Sequence, residues 1–198
     1  MTKTLEFFFD LGSPASYLAW SQLPALCADT GAQLRCRPML LGGVFQATGN
    51  SSPATVPAKG RYMATDLLRH ARRYGVAFAF NPHFPINTLA LMRGAIGYQL
   101  RQPDAFSAYL DALFQSLWVD QRNLGDQAVL AATLETAGLD VRQYQTMIGD
   151  EQVKTALKTN TEEAVQRGVF GAPTFFVGDE MFFGQDRLTF VADALMGR

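Results

Sequence analysis

Leu5-Glu6-Phe7-Phe8-Phe9-Asp10-Leu11-Gly12-Ser13-Pro14-Ala15-Ser16-Tyr17 is the stretch on which the fold turns. Leu5 to Phe9 is almost continuously apolar, as expected of a short strand covered on both faces. Asp10 to Pro14 breaks the run, and Ser13 followed by Pro14 predicts a helix start. A serine hydroxyl accepts from orphan N–H groups of a first turn, and proline tolerates the first helical position. Tyr17, Leu18, Leu23, Leu26 and Cys27 carry a single helix to about Gly31. Gln33 to Met39 alternates imperfectly and predicts a second strand. Strand, helix and strand make a βαβ unit with a right-handed crossover.

Outward from this unit the pattern changes twice. Gly42-Gly43, Gly49-Asn50-Ser51-Ser52-Pro53 and Pro57-Ala58-Lys59-Gly60 predict a loop across 42–60, of a length that is functional or flexible in compact domains. From Arg61 to Gly168 the spacing is mostly helical. Helices are expected at about 61–74, 87–100, 103–118, 126–137, 140–148 and 150–168, several ending at a glycine suited to positive φ, with a short extended piece at Val76–Phe80. Thr174-Phe175-Phe176-Val177 and Met181-Phe182-Phe183 then predict a hairpin, and Leu188, Val191, Ala192 and Leu195 a last amphipathic helix. The outer pieces match the two halves of a thioredoxin core sharing one sheet. The expected fold is α/β and thioredoxin-like with a large inserted all-helical domain: core at 1–60 and 169–198, insertion at 61–168.

Composition removes several function classes. With 17 basic and 18 acidic residues the formal net charge is -1, and no nucleic-acid partner is expected. No apolar stretch approaches the roughly twenty residues of a membrane span. Met1 to Glu6 holds no apolar leader segment, so a cytoplasmic protein is expected. Cys27 and Cys36 form neither a CxxC pair nor a metal site, and two buried free thiols are expected. The only histidines, His70 and His83, have no partner that the sequence identifies, which speaks against a Ser-His-Asp triad.

Where thioredoxins carry their CxxC pair, this chain reads Ser13-Pro14-Ala15-Ser16, and dithiol exchange is unavailable there. Ser13 is either a helix cap alone or a cap that also donates to a thiolate from outside, at a helix end that favours an anion. Pro173, entering a strand after Gly168-Val169-Phe170-Gly171-Ala172, is either an ordinary trans proline or a cis one facing the first helix. The cis form would leave the Ala172 N–H and C=O open to an extended peptide. Asp186, in Gly184-Gln185-Asp186-Arg187, either caps the last helix or accepts a ligand ammonium. Asn50 and Lys59 are surface residues or meet a ligand carboxylate or backbone.

Taken together and in order, several segments carry a resemblance. They are Phe9-Asp10-Leu11-Gly12-Ser13-Pro14 with Ser16-Tyr17-Leu18, Gly49-Asn50 with Pro57-Ala58-Lys59-Gly60-Arg61-Tyr62-Met63, Asn87-Thr88, the Gly168 to Phe175 run and the Phe183 to Arg187 run. Along nearly its whole length the chain resembles the 2-hydroxychromene-2-carboxylate isomerase family and the related kappa-class glutathione transferases, in the DsbA-like branch of thioredoxin folds. The resemblance implies that glutathione lies in a groove between the two domains. It implies Ser13 as the catalytic serine that donates to the glutathione sulfur, and Ala172, before a cis Pro173, as the partner of the cysteinyl backbone. It further implies Asp186, beside Gln185, at the γ-glutamyl ammonium, and Asn50 and Lys59 near the glycyl end. In the isomerase branch the thiolate adds to an unsaturated aromatic pyruvate, frees a double bond to rotate, and leaves. The resemblance thus implies a glutathione-dependent isomerase of a small aromatic keto acid or its hemiketal, working as a homodimer. A kappa-type glutathione transferase or peroxidase is the alternative, and a non-catalytic glutathione- or peptide-binding module a further one.

Overall fold

The computed structural model describes residues 3–198. It opens with β1 (Thr4–Phe9), α1 (Pro14–Trp20), α2 (Leu23–Thr30) and β2 (Gln33–Pro38). The single helix expected before β2 is therefore two. Pro24 sits in the first turn of α2, where its missing N–H is harmless. In a continuous helix its ring would press on the carbonyl of Trp20. β1 and β2 run parallel, from Thr4 opposite Gln33 to Phe9 opposite Pro38.

Residues 42–60 are not the loop expected. α3 (Leu41–Thr48) runs through Gly42 and Gly43, and α4 (Pro57–Tyr74) starts at Pro57, ahead of the expected Arg61. Tertiary contacts offset the entropic cost of the two glycines. Asp10 Oδ2 accepts from the Leu41 N–H at 2.8 Å, Thr161 Oγ1 accepts from the Leu40 N–H at 3.0 Å, and Val44 is buried.

Residues 76–80 form no strand; the Ala79 N–H donates to the Trp118 carbonyl at 2.7 Å. α5 (Leu89–Arg101), α6 (Phe106–Trp118), α7 (Gln127–Thr136), α8 (Val141–Gly149) and α9 (Glu151–Gln166) follow. Asp126, Asp140 and Asp150 cap the last three through side-chain bonds to first-turn N–H groups. β3 (Thr174–Val177) and β4 (Glu180–Phe183) make the hairpin, and α10 (Leu188–Met196) ends the fold. The sheet order is β2-β1-β3-β4, with β1 antiparallel to β3 and Phe7 opposite Phe175.

β1 is covered on both faces, as its apolar run requires. Leu5, Phe7 and Phe9 join Leu18, Met92, Phe114 and Trp118 in the larger core. Phe8 packs on the other face with Met39, Val44, Ala164 and Phe176. Phe7 stacks on Phe9 at 4.9 Å and on Phe175 at 5.4 Å. Each such ring contributes about 1.5–3 kcal/mol by leaving water.

The second face also holds an ion network. Glu6 accepts from Arg37 at 2.7 Å and Arg167 at 2.6 Å, and Arg37 also reaches Glu163. Arg167 lies over the Phe176 ring at 3.6 Å. Burial pushes the Glu6 carboxyl up, but Arg167 and Arg37 outweigh it and hold it below its usual value. The network fastens α9 to the sheet. We propose the divisions at 60 and 168 as domain boundaries, with α9 shared between the insertion and the sheet layer.

Cys27 and Cys36 are free, as expected, and half-buried rather than buried. Burial, with Cys27 nearby, pushes the Cys36 thiol up to about 12. Among the described residues no helix is long and apolar enough to cross a membrane, and no His, Cys, Asp and Glu cluster could hold a metal ion.

Candidate active site

The site forms where β1 ends. Asp10 is almost fully buried and accepts three hydrogen bonds: from the Gly12 N–H at 2.8 Å, the Leu41 N–H at 2.8 Å and the Thr88 hydroxyl at 3.1 Å. One carboxylate thus ties the β1–α1 turn to α3 and to the start of α5. Burial pushes its pKa up against the pull of those three donors. Gly12 is required here, because a Cβ would stand 2.8 Å from Thr88 Cγ2. The insertion docks beside this turn: Trp118 Nε1 donates to the Leu11 carbonyl at 2.9 Å, and Tyr17 Oη to the Ala77 carbonyl at 2.7 Å.

Ser13 caps α1 from extended backbone, and its Oγ accepts from the Ser16 N–H at 3.1 Å. The same Oγ donates to the Ala172 carbonyl at 3.0 Å, so the serine is more than a local cap. The Ala172–Pro173 bond is cis. One part of the expectation is corrected. The Ala172 N–H has no partner among the described residues, but the Ala172 carbonyl is not open, because Ser13 reaches it across the fold. A carbonyl has two lone pairs, and one remains. The Ser13 hydroxyl carries a single proton. With Oγ held by the cap, that proton can turn from Ala172 to another acceptor while no heavy atom moves.

Ser13 and Ala172 face a cavity of about 1180 Å³, and Asn50, Lys59 and Gln185 line it too. Asn50 Nδ2 donates to the Phe170 carbonyl at 2.8 Å, which ties the end of α3 to the segment before Pro173. Lys59, in the first turn of α4, has no ion-pair partner among the described residues. Tyr74 Oη donates to the Gln185 carbonyl at 2.9 Å and ties α4 to the turn that holds Gln185 beside α1. Two of the expected residues stand back from the cavity. Pro173 accepts from the Gly184 N–H at 3.0 Å, and the Asp186 carboxylate pairs with its neighbour Arg187 at 2.6 Å.

The facing wall is apolar. Tyr62, Met63 and Leu67 of α4 line the cavity together with Phe84 and Ile86, with a second cis bond at Phe84–Pro85. The sequence pattern gave these side chains no role, nor one to Asp10 or Asp66. The signal available was the spacing of Met63, Asp66 and Leu67 along one face of α4.

Fold and site define a thioredoxin-fold protein whose β1–α1 corner presents the Ser13 hydroxyl and no CxxC pair. The family model for the DSBA-like thioredoxin domain matches residues 4–196. A 2-hydroxychromene-2-carboxylate isomerase of Sphingobium xenophagum is 34% identical, over 99% of this chain and 100% of its own. Human glutathione S-transferase kappa 1 is 30% identical, over 98% of this chain and 92% of its own. A solved 2-hydroxychromene-2-carboxylate isomerase superposes with a TM-score of 0.86 at 31% identity, covering 98% of this chain and 95% of that one. The chain belongs to the DSBA-like thioredoxin family, among the 2-hydroxychromene-2-carboxylate isomerases and their kappa glutathione transferase relatives.

Proposed function

We propose that this chain is a glutathione-dependent isomerase of the 2-hydroxychromene-2-carboxylate type. The observation that carries the reading is the Ser13 hydroxyl, capped from behind, aimed at Ala172, and facing a cavity of about 1180 Å³. The donor set suits glutathione. The Ala172 N–H is open for a peptide carbonyl, Lys59 offers an ammonium to a carboxylate, and Gln185 offers a polar side chain at the α1 end of the cavity. In this reading Asn50 holds the cavity edge, and Asp186, drawn to Arg187, acts at the rim on the γ-glutamyl end. Pro173 keeps Ala172 facing Ser13.

Bound glutathione would supply a thiolate that adds reversibly to a conjugated double bond. The chain's part is to hold the sulfur at Ser13, where the hydroxyl proton turns toward it. The helix N-terminus adds a favourable field. The apolar wall of Met63, Leu67, Phe84 and Ile86 suits a flat aromatic substrate and keeps water from the thiolate. We further place the enzyme in the cytoplasm as a homodimer; the exposed Phe190 and Met196 on α10 offer apolar surface for a second copy.

The test is stoichiometry. Given 2-hydroxychromene-2-carboxylate and a small amount of glutathione, the protein should form open-chain trans product in large excess over glutathione, which is recovered. The kinship with human kappa transferase supports a second reading, in which glutathione is consumed one for one. No turnover in either mode, with no glutathione bound, would leave a non-catalytic module.

A further inference from the structure

Four titratable side chains line the cavity among the described residues: Asp10, Lys59, Tyr62 and Asp66. Asp10 is committed to its three donors. Lys59 brings donors and no acceptor, and Tyr62 a single hydroxyl that donates or accepts. Asp66 alone brings carboxylate oxygens that no backbone N–H or hydroxyl of the fold occupies; its one hydrogen bond is a long one from Arg69 Nη1. Its nearest partners are Arg69 Nη1 at 3.5 Å from Oδ1 and His70 Nε2 at 3.7 Å from Oδ2. The Arg69 contact is a long hydrogen bond and the His70 contact an ion pair only, both beyond the about 2.7–3.2 Å of a close N–H···O bond.

The placement of Asp66 follows from α4. Met63, Asp66, Leu67, His70 and Tyr74 recur at helical spacing on one face. The first three line the cavity, and Tyr74 anchors the face to Gln185. His70 packs against Tyr74 at 5.7 Å and backs the Asp66 carboxylate. The side chain of Asp66 is one-third exposed, and the residue lines the cavity.

We propose that Asp66 is a catalytic carboxylate that opens the cyclic hemiketal form of the substrate, a step separate from anything Ser13 does. The proposal rests on the isomerase reading. The proton of the hemiketal hydroxyl passes to one oxygen of Asp66. The freed electron pair forms the ketone C=O as the bond from that carbon to the ring oxygen breaks. The ring oxygen leaves with the bond's electrons and takes the proton from Asp66 as a phenol. Asp66 begins and ends ionised, and nothing is oxidised or reduced. The two oxygens of a carboxylate are spaced like the two oxygens on a hemiketal carbon, so one side chain serves as acceptor and donor. Arg69 offsets the repulsion between Asp66 and the carboxylate of the substrate.

The test uses the full chain without glutathione. 2-Hydroxychromene-2-carboxylate is mixed with excess semicarbazide, which traps each opened ketone, so trapping reports ring opening. Wild type and the surface control Asp179→Asn should accelerate opening alike. Asp66→Asn should lose about 10²-fold, the usual scale for a positioned acid–base group, and Asp66→Glu should recover part of it. Wild type that does not accelerate opening, or Asp66→Asn within about twofold of wild type, overturns the proposal. Isomerisation with glutathione, run in parallel, decides the functional reading by itself.

Discussion

Ser13→Ala separates a cap from a thiolate donor. The change removes two bonds of one oxygen: acceptance from Ser16 at 3.1 Å and donation to Ala172 at 3.0 Å. Loss of the cap costs about 1 kcal/mol, and the deserted carbonyl about 1 kcal/mol more. Wild type and variant should therefore differ by about 2 kcal/mol in urea unfolding, the sum of those two losses. The effect on the thiol is a difference of terms. A hydroxyl bond to an anion contributes about 1.5–3 kcal/mol, and withdrawing the same proton from Ala172 costs about 1 kcal/mol. The net of about 1.4 kcal/mol is about one pKa unit. On the proposed reading, and starting from a free thiol near 8.5, a Ser13 bond to the sulfur would raise the thiolate fraction near pH 7 from roughly 3% to roughly 25%. The assay is a pH titration of the ultraviolet absorbance of thiolate with glutathione bound. Ser13→Ala should shift the midpoint up by about one unit, with glutathione affinity largely kept and turnover reduced about tenfold. A midpoint moved by less than about 0.3 unit, with turnover unchanged, would refute the reasoning and leave Ser13 as a cap.

Other consequences are open to measurement. Thr88→Val deprives the buried Asp10 carboxylate of a donor at 3.1 Å and should cost about 1.5–3 kcal/mol in urea unfolding. Because the folded pKa of Asp10 is already raised, stability is gained as pH falls through it, so the deficit of the variant should narrow on acidification. Arg37→Met breaks a buried network and should cost about 3 kcal/mol, the low end because Arg167 still faces Glu6 at 2.6 Å. Glu6 is held below its usual 4.5, so its contribution is present above that value and lost as pH falls through the folded one. The melting temperature of Arg37→Met should therefore depend less on pH in the acid range. Cys36, pushed up to about 12, should resist alkylation near neutral pH, and Cys36→Ser should leave glutathione-dependent turnover unchanged.

What the sequence discloses is local chemistry. Ser13-Pro14 reads as a helix start because a cap and an N-terminal proline act within one turn, and Gly31 and Gly75 read as helix ends because positive φ is a property of one residue. α3 was illegible because Asp10 and Thr161 hold its first N–H groups from 31 and 121 positions away. Ser13 could be placed where β1 meets α1, but its bond to Ala172 spans 159 positions and follows from no spacing. Asp186 reads as a cap or a ligand group from its place before the last helix, with the ligand role implied by the resemblance alone, and its pairing with the adjacent Arg187 at 2.6 Å follows from neither reading. Asp66 carries no motif at all. Its role depends on which face of α4 meets α1, and packing decides that.

The register of β1 also bears on how the chain comes to be folded. Phe7 and Phe8 pair with Phe175 and Thr174, across the whole insertion, so the inner edge of the strand cannot be closed until the last quarter of the chain has been made. Until then the ribosome holds a nascent βαβ unit that displays its most apolar strand along an unpaired edge. Long-range pairing of this kind is slow and leaves a template for misassociation. Synthesis of this protein should accordingly lean on chaperones that bind exposed aromatic strands. Hydrogen exchange during refolding should find the amides of α5 and α6 protected before those that join β1 to β3.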